Sequence, residues 1–407
     1  MESGRRGALS WPLITGAVVG LLLATIVVGY RVLAPAETVD PADAPYPAPV
    51  VAEPRGYGQL SNAPLVVDRR LRVYAAERRI WADAPVDARA SMTPYWAFRR
   101  WPAQVLGVVV APGPVVVGAW SDGKLVALDA RTGREAWRAE VGSTGAYNSR
   151  RTGAGVVYQP AHLFTATAAD GRAVVLSSWG GTVRAFDAGS GALLWSRPRG
   201  CESRDWTVDG AYATVDCAQP TTVDLFDAGT GTARPVWRLS GGDPTPIACA
   251  VGHSDCRAVR TSTSAWLLGP GGAAVEASAL APTAAWLVGR FAVEQTTPTV
   301  ITARDAVTGA PGWTWQSRDG AAATLIATEP GRIYVLVEQR TLVTVNPLDG
   351  TELSRVTPQP EIVGTGWRPA HVYARDGFVA VERVRGPENS VDSSYFSSGE
   401  PVLLLGS

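Results

Sequence analysis

Apolar residues fall along this chain in two arrangements. The first is one unbroken run, residues 13–30, that contains no charge. The second fills most of the chain after residue 60. There, short runs of apolar or alternating residues are cut at intervals by Asp, Gly and Pro. Leu125-Val126-Ala127-Leu128 leads into Asp129-Ala130-Arg131-Thr132-Gly133, and Arg134-Glu135-Ala136-Trp137 follows. Such a run predicts a strand with one buried face. Asp suits the first turn position because its carboxylate accepts from backbone amides two residues on. Gly supplies the positive φ that closes a hairpin cheaply. The unit is therefore strand, tight turn, strand.

The unit recurs. Asp187 and Gly191 open and close a second copy, Asp227 and Gly231 a third, and Asp305 and Gly309 a fourth; Asn346 to Gly350 is a degenerate fifth. A Trp stands four residues after the Gly at Trp137, Trp195 and Trp313, and Trp237 lies two places late. Burying a Trp removes on the order of 200 Å² from water, worth up to roughly 5 kcal/mol. An anchor at the same place in each copy predicts docking onto the neighbouring copy. The aspartates are far apart in sequence, each in its own turn, so they read as turn residues and not as a catalytic set. The turn positions are separated by 58, 40, 78 and 41 residues. A worn copy at Ala265-Trp266-Leu267-Leu268 fills the longest gap. A period near 40 with four short strands per unit predicts an all-β fold, a β-propeller.

The motif A-x-D-x-x-[TS]-G-x-x-x-W, close at Ala127–Trp137, Ala185–Trp195 and Ala303–Trp313, resembles the PQQ-like, quinoprotein-type propeller repeats found also in BamB outer-membrane assembly proteins. The resemblance covers most of residues 61–407. It implies a propeller and raises a PQQ-dependent oxidoreductase as one activity. Members with that activity have adjacent cysteines in a disulfide over the quinone, with carboxylate and amide ligands for calcium. This chain has no Cys-Cys pair, so the expected cofactor is none.

Seven four-stranded blades are expected, eight if residues 61–83 contribute more than a closing strand. Arg70–Tyr74 and Arg78–Asp83 resemble the third and fourth strands of a unit. The chain ends on Val402-Leu403-Leu404-Leu405 with no fourth strand after it. An N-terminal strand is therefore expected to complete the last blade and close the ring, removing an open edge.

Arg5 and Arg6 before the apolar run favour a cytoplasmic N-terminus. The run approaches the roughly 20 residues that span a bilayer; a cleaved signal peptide, with Ala34-Pro35-Ala36 as its site, is the alternative. The expected order is a cytoplasmic segment 1–11, a transmembrane helix 12–33, a Pro/Ala-rich extended spacer 34–60 and an extracytoplasmic propeller 61–407. Formal net charge is +0, which gives no footprint for nucleic acid. Lys124 is the only lysine; with abundant Ala and Gly this points to a GC-rich genome such as an actinobacterium.

Four cysteines in an exported chain invite pairing. Of three connectivities, Cys201–Cys217 and Cys249–Cys256 are expected, each within one blade; free buried thiols are the alternative. The three histidines sit in no recognisable motif, and neither a metal nor a catalytic set is expected.

One surface carries candidate binding chemistry. If Tyr95, Trp96, Arg99, Arg100 and Trp101, then Tyr147, Arg150 and Arg151, then Trp367 and Arg368 are links between successive blades, they lie side by side on one face. Arg with Trp and Tyr is the composition of binding hot spots, and Arg forks suit carboxylates and phosphates. The expected function is a non-enzymatic binding or scaffold module, anchored in the cell membrane, whose partner is an envelope protein or anionic ligand. An ectodomain of a sensor with a separate output partner is a further alternative.

Overall fold

The computed structural model describes residues 15–16, 18–25, 36–88, 93–142, 145–147, 152–199, 204–216, 218–268, 273–358, 366–385 and 401–407. The chain divides into two units, residues 1–38 and 39–407.

In the first unit, residues 15–16 and 18–25 are helical, and Val18, Val19, Leu21, Leu22 and Leu23 are exposed. No helix among the described residues is long and apolar enough to cross a membrane. The rest of the expected 12–33 span lies outside the described residues up to residue 35.

The second unit is a β-propeller of eight antiparallel sheets. Blade 1 spans residues 65–100, blade 2 105–140, blade 3 163–198, blade 4 205–238, blade 5 245–276, blade 6 286–316 and blade 7 323–356. Blade 8 combines Arg368–Arg375, Phe378–Val384 and Val402–Gly406 with the N-terminal strand Gly56–Leu60. The first strands of neighbouring blades touch, as Val105–Ala111 does with Leu163–Thr167, so they line the axis. Second strands are mostly buried, Val115–Trp120 throughout. The outer strands of blades 2, 3 and 4 are largely solvent-facing except for an anchor: in Glu135–Glu140 only Trp137 is buried.

That anchor makes the joint between blades. The indole N–H of Trp137 donates to Ala188 O of blade 3 at 2.7 Å, Trp195 to Ala228 O of blade 4 at 2.8 Å, and Trp313 to Pro347 O of blade 7 at 2.8 Å. Each acceptor lies in the repeat turn of the next blade, Asp-to-Gly for Ala188 and Ala228 and Asn346–Gly350 for Pro347. Trp237 is also buried, beside Trp266 of blade 5. The turns have the expected geometry: Gly133, Gly191, Gly231, Gly309 and Gly350 have φ of 69°, 71°, 69°, 70° and 76°. Asp187 Oδ1 accepts from the Ser190 N–H at 2.8 Å, and Asp305 Oδ1 from that of Thr308 at 2.9 Å.

Two expectations are corrected. The ring has eight blades, not seven, because residues 65–100 build a complete blade. Arg79–Asp83 is the third strand of blade 1, paired with Leu71–Ala76 and Trp96–Arg100. Closure therefore falls to Gly56–Leu60, which pairs with Val402–Gly406. Nor is the proline-rich segment a free spacer. Ala42 N donates to Thr132 O at 3.0 Å, and Val50 N to Arg69 O at 2.8 Å. The Tyr46 hydroxyl donates to Asp68 Oδ2 at 3.1 Å, and Arg70 lies over the Tyr46 ring. The prolines stiffen an extended strap that runs over blade 1 before becoming the closing strand.

Candidate functional site at the propeller axis

The described members of the arginine and aromatic set do not form one solvent-facing patch. Residues 96–100 are the fourth strand of blade 1, not a link. Trp96 is its anchor: the ring is buried against Gly133, and its N–H donates to Ala130 O of blade 2 at 2.7 Å. The Tyr95 hydroxyl lies 3.0 Å from Ala44 O and 3.1 Å from Arg131 O. Arg100 is buried and forks onto Asp122 at 2.9 and 2.8 Å, over the Trp120 ring. Arg99 and Trp101 are exposed, with Arg78 stacked 4.3 Å from the Trp101 ring. The backbone N–H of Tyr147 donates to Gln104 Oε1. Trp367 is buried in the core between blades 7 and 8, and Arg368 is half-buried on the first strand of blade 8. Arg150 and Arg151 lie outside the described residues, as do Cys201 and Cys217. The inserted blade 1 separates segments that would adjoin in a seven-bladed ring.

What the fold gathers instead lies on the axis. In antiparallel blades the connections alternate between two faces. The Asp-to-Gly turns share a face with the loops between first and second strands; the links between blades share the other. From the link face comes the helix Ala154–Tyr158, packed against the first strands of blades 2 and 8. Its Tyr158 is buried, stacks on Tyr373 at 5.1 Å, and donates to Pro64 O at 2.9 Å. Burial pushes the Tyr158 phenol well above its ordinary pKa. Gly153, at φ +75°, leaves room for Ala75 O, which would stand 2.2 Å from an added Cβ.

From the turn face comes the loop between the first two strands of blade 5, closed by a Cys249–Cys256 disulfide. It reaches across the ring. Thr165 N of blade 3 donates to Ser254 Oγ at 3.0 Å, Thr207 N of blade 4 to His253 O at 2.9 Å, and Cys256 N to Thr207 O at 2.8 Å. Gly252 N donates to Tyr158 O at 2.9 Å, so the two insertions meet. The helix accounts for the interval of 58 where 40 is usual. The disulfide loop had a signal in its two cysteines, but nothing in their spacing said that it enters the ring.

Two polar clusters flank the helix. Glu382 is buried and accepts from Thr152 Oγ1 at 2.6 Å and faces His371 Nδ1 at 2.7 Å. Burial raises its pKa, but the contacts with His371 and Thr152 outweigh that and leave it below the usual range. Thr152 and His371 both rest on the carboxylate, not on each other. That is the order of a strut, not of a nucleophile beside its base. Arg199 forks onto buried Asp205 at 3.1 and 2.8 Å and sits 3.1 Å from His162 Nδ1. Since arginine only donates, His162 Nδ1 is the acceptor there. No group of three His, Cys, Asp or Glu among the described residues could hold a metal.

A quinone cofactor does not fit these residues. The disulfide joins cysteines 7 apart and closes a loop inside the ring. The axial cavity above it, about 410 Å³, is lined by no carboxylate or amide side chain that would hold calcium.

A model of the family described as "Outer membrane protein assembly factor BamB" matches residues 53–238. The structure of BamB from Moraxella catarrhalis is 17% identical with a TM-score of 0.46, over 85% of this chain and 95% of that one. The computationally designed Ika8 protein is 14% identical at 0.50, over 88% and 100%. The C-terminal WD40 domain of Sif2 is 10% identical at 0.51, over 88% and 99%. No curated protein matches. The chain is thus similar to the BamB family over residues 53–238, and the likeness to solved structures is one of β-propeller fold alone.

Proposed function

We propose that this propeller is a non-enzymatic protein-binding scaffold of the cell envelope, anchored through the apolar run near its N-terminus. The observation that carries the binding role is on the outer rim. Five successive blades each leave a large apolar side chain exposed on the outer strand or the turn before it: Leu193, Val236, Val275, Val307, and Leu348 with Leu353. The other exposed residues of these outer strands are polar, Pro, Ala or Gly, so the recurrence of large apolar side chains around one arc supports a contact surface for a partner protein. The family match adds the association with outer-membrane assembly as context for an envelope role. The anchor rests on the charge-free run at residues 13–30 and the arginines before it.

The test is crosslinking and pulldown from native membranes, with the full-length chain and a Leu193→Glu, Val236→Glu, Leu353→Glu variant. The expected result is one partner protein whose recovery falls about tenfold in the folded variant. Unchanged recovery, or calcium-dependent quinone dehydrogenase activity in the purified chain, would sink the reading.

A further inference from the structure

The axial cavity of about 410 Å³ falls within the usual size of a small-molecule site, and its walls are specific. The disulfide loop forms the floor, Tyr158 and Tyr373 one side, and the first strands of blades 6, 7 and 8 the rest. Its lining is aliphatic, aromatic or small, with a single charged side chain, Arg260.

Arg260 ends the second strand of blade 5. Its Nε donates to Leu280 O at 2.9 Å, Nη1 to Thr283 O at 3.2 Å and Nη2 to Ala285 O at 2.7 Å. These acceptors are all backbone carbonyls. They use three of the five guanidinium N–H groups and bring no negative charge. Arg260 has no acidic partner among the described residues. Burial alone pulls its pKa down, with no neighbouring carboxylate to hold it up. A partly desolvated cation without a counter-charge is costly. Trp286, 38% exposed, lines the cavity directly after Ala285, whose carbonyl Arg260 holds.

The cavity on the other side of the disulfide loop shows that this imbalance is local. It measures about 490 Å³ and shares Ala248, Cys249 and Ala250, but there Arg257, Arg332 and Arg375 are matched by Asp255, Glu329 and Asp376. Of these two cavities, the one on the link face combines one unneutralised guanidinium with an apolar interior.

The geometry points to a binding site for a small monocarboxylate with an apolar or aromatic body. The remaining N–H groups of Arg260 take the carboxylate, and Trp286 contacts the body. A charged partner strengthens such hydrogen bonds, while a neutral amide of the same shape gains no ion pair and offers one acceptor oxygen where the carboxylate offers two.

The probes are 4-fluorobenzoate and neutral 4-fluorobenzamide, titrated into the full-length chain and followed by fluorine NMR. The benzoate is expected to bind about tenfold tighter or more. Arg260→Lys keeps the charge and should keep a reduced preference; Arg260→Gln should abolish it. Trp286→Ala should weaken both probes alike. Equal affinity of the two probes for the wild-type chain, no binding of either, or an undiminished preference in folded Arg260→Gln overturns the proposal. If Arg260→Gln does not fold, the wild-type ratio and Arg260→Lys decide: loss of the preference in folded Arg260→Lys counts against it.

Discussion

At the scale of single residues, the repeat turn carries two jobs in one glycine. An added Cβ on Gly191 would stand 2.6 Å from the Trp137 ring, and one on Gly231 would stand 2.8 Å from that of Trp195. Gly309 meets nothing within 4 Å, because the outer strand of blade 5, Ala274–Glu276, carries no Trp. All three glycines have a left-handed φ. Gly309→Ala should therefore cost about 1–2 kcal/mol for backbone strain alone. Gly191→Ala adds overpacking and should cost about 2–4 kcal/mol. Trp137→Ala should cost about 3–5 kcal/mol as a large core truncation. Chemical denaturation measures all three, and equal losses at the two glycines would refute the division of roles. The aspartate of the same turn sets an acid limit. The Ser190 hydroxyl and amide hold the Asp187 carboxylate below its ordinary pKa against an opposing effect of burial. A folded pKa below the unfolded one gives stability above the ordinary value, lost as pH falls through the folded value. Asp187→Asn keeps an acceptor, as Asn346 does for Leu348 N, but does not titrate. The variant should lose less stability than the wild type below about pH 4, measured as unfolding free energy against pH.

At the scale of elements, regular strands were legible and the insertions were not. Alternation and turn chemistry marked the last two strands of blades 2, 3, 4, 6 and 7, because each such pair encloses a local turn signal. Blade 1 has no Asp-x-x-Thr-Gly turn before its last strand, so Trp96 read as an exposed aromatic. Its position betrays it: Trp96 stands 41 residues before Trp137, one repeat period. The helix Ala154–Tyr158 and the disulfide loop have no period at all, and their placement is set by contacts remote in sequence. Those contacts predict coupling. Tyr158→Phe leaves Pro64 O without its buried donor and should cost about 1–3 kcal/mol. The double change Cys249→Ser, Cys256→Ser should cost about 2–3 kcal/mol and speed amide exchange at residues 252 and 255, whose N–H groups bond Tyr158 O and Thr207 Oγ1. Exchange at those two amides that stays slow would show that the loop is held without its disulfide.

At the scale of the whole molecule, the fold class was legible because a repeat is redundant: several good copies of the unit predict a ring even where others are worn. The blade count was not, because the closing strand resembles no repeat. Gly56–Leu60 is recognised only by its partner, 342 residues away at the pair Leu60↔Val402. Its fit there is tight. Tyr57 is buried, its ring 5.3 Å from Phe378, and its hydroxyl accepts from Glu53 N at 2.8 Å. Gly406 N donates to Arg55 O at 2.8 Å, and an added Cβ on Gly406 would stand 2.5 Å from the Tyr57 ring. A chain that begins at residue 61 keeps the four strands of blade 1 between residues 65 and 100 and every strand of blades 2 to 7, but leaves Val402–Gly406 as an open edge. That edge consists of Val402, Leu403, Leu404 and Leu405, all buried in the closed ring, so opening it exposes apolar side chains as well as unpaired backbone. The truncated chain should therefore be cleaved by protease within residues 401–407 and self-associate, while blades 2 to 4 remain protected. Removal of Arg79–Asp83 alone should instead cost blade 1 its middle, since that strand pairs on both sides within the blade. Full protection of the C-terminal strand in the chain starting at 61 would place closure elsewhere.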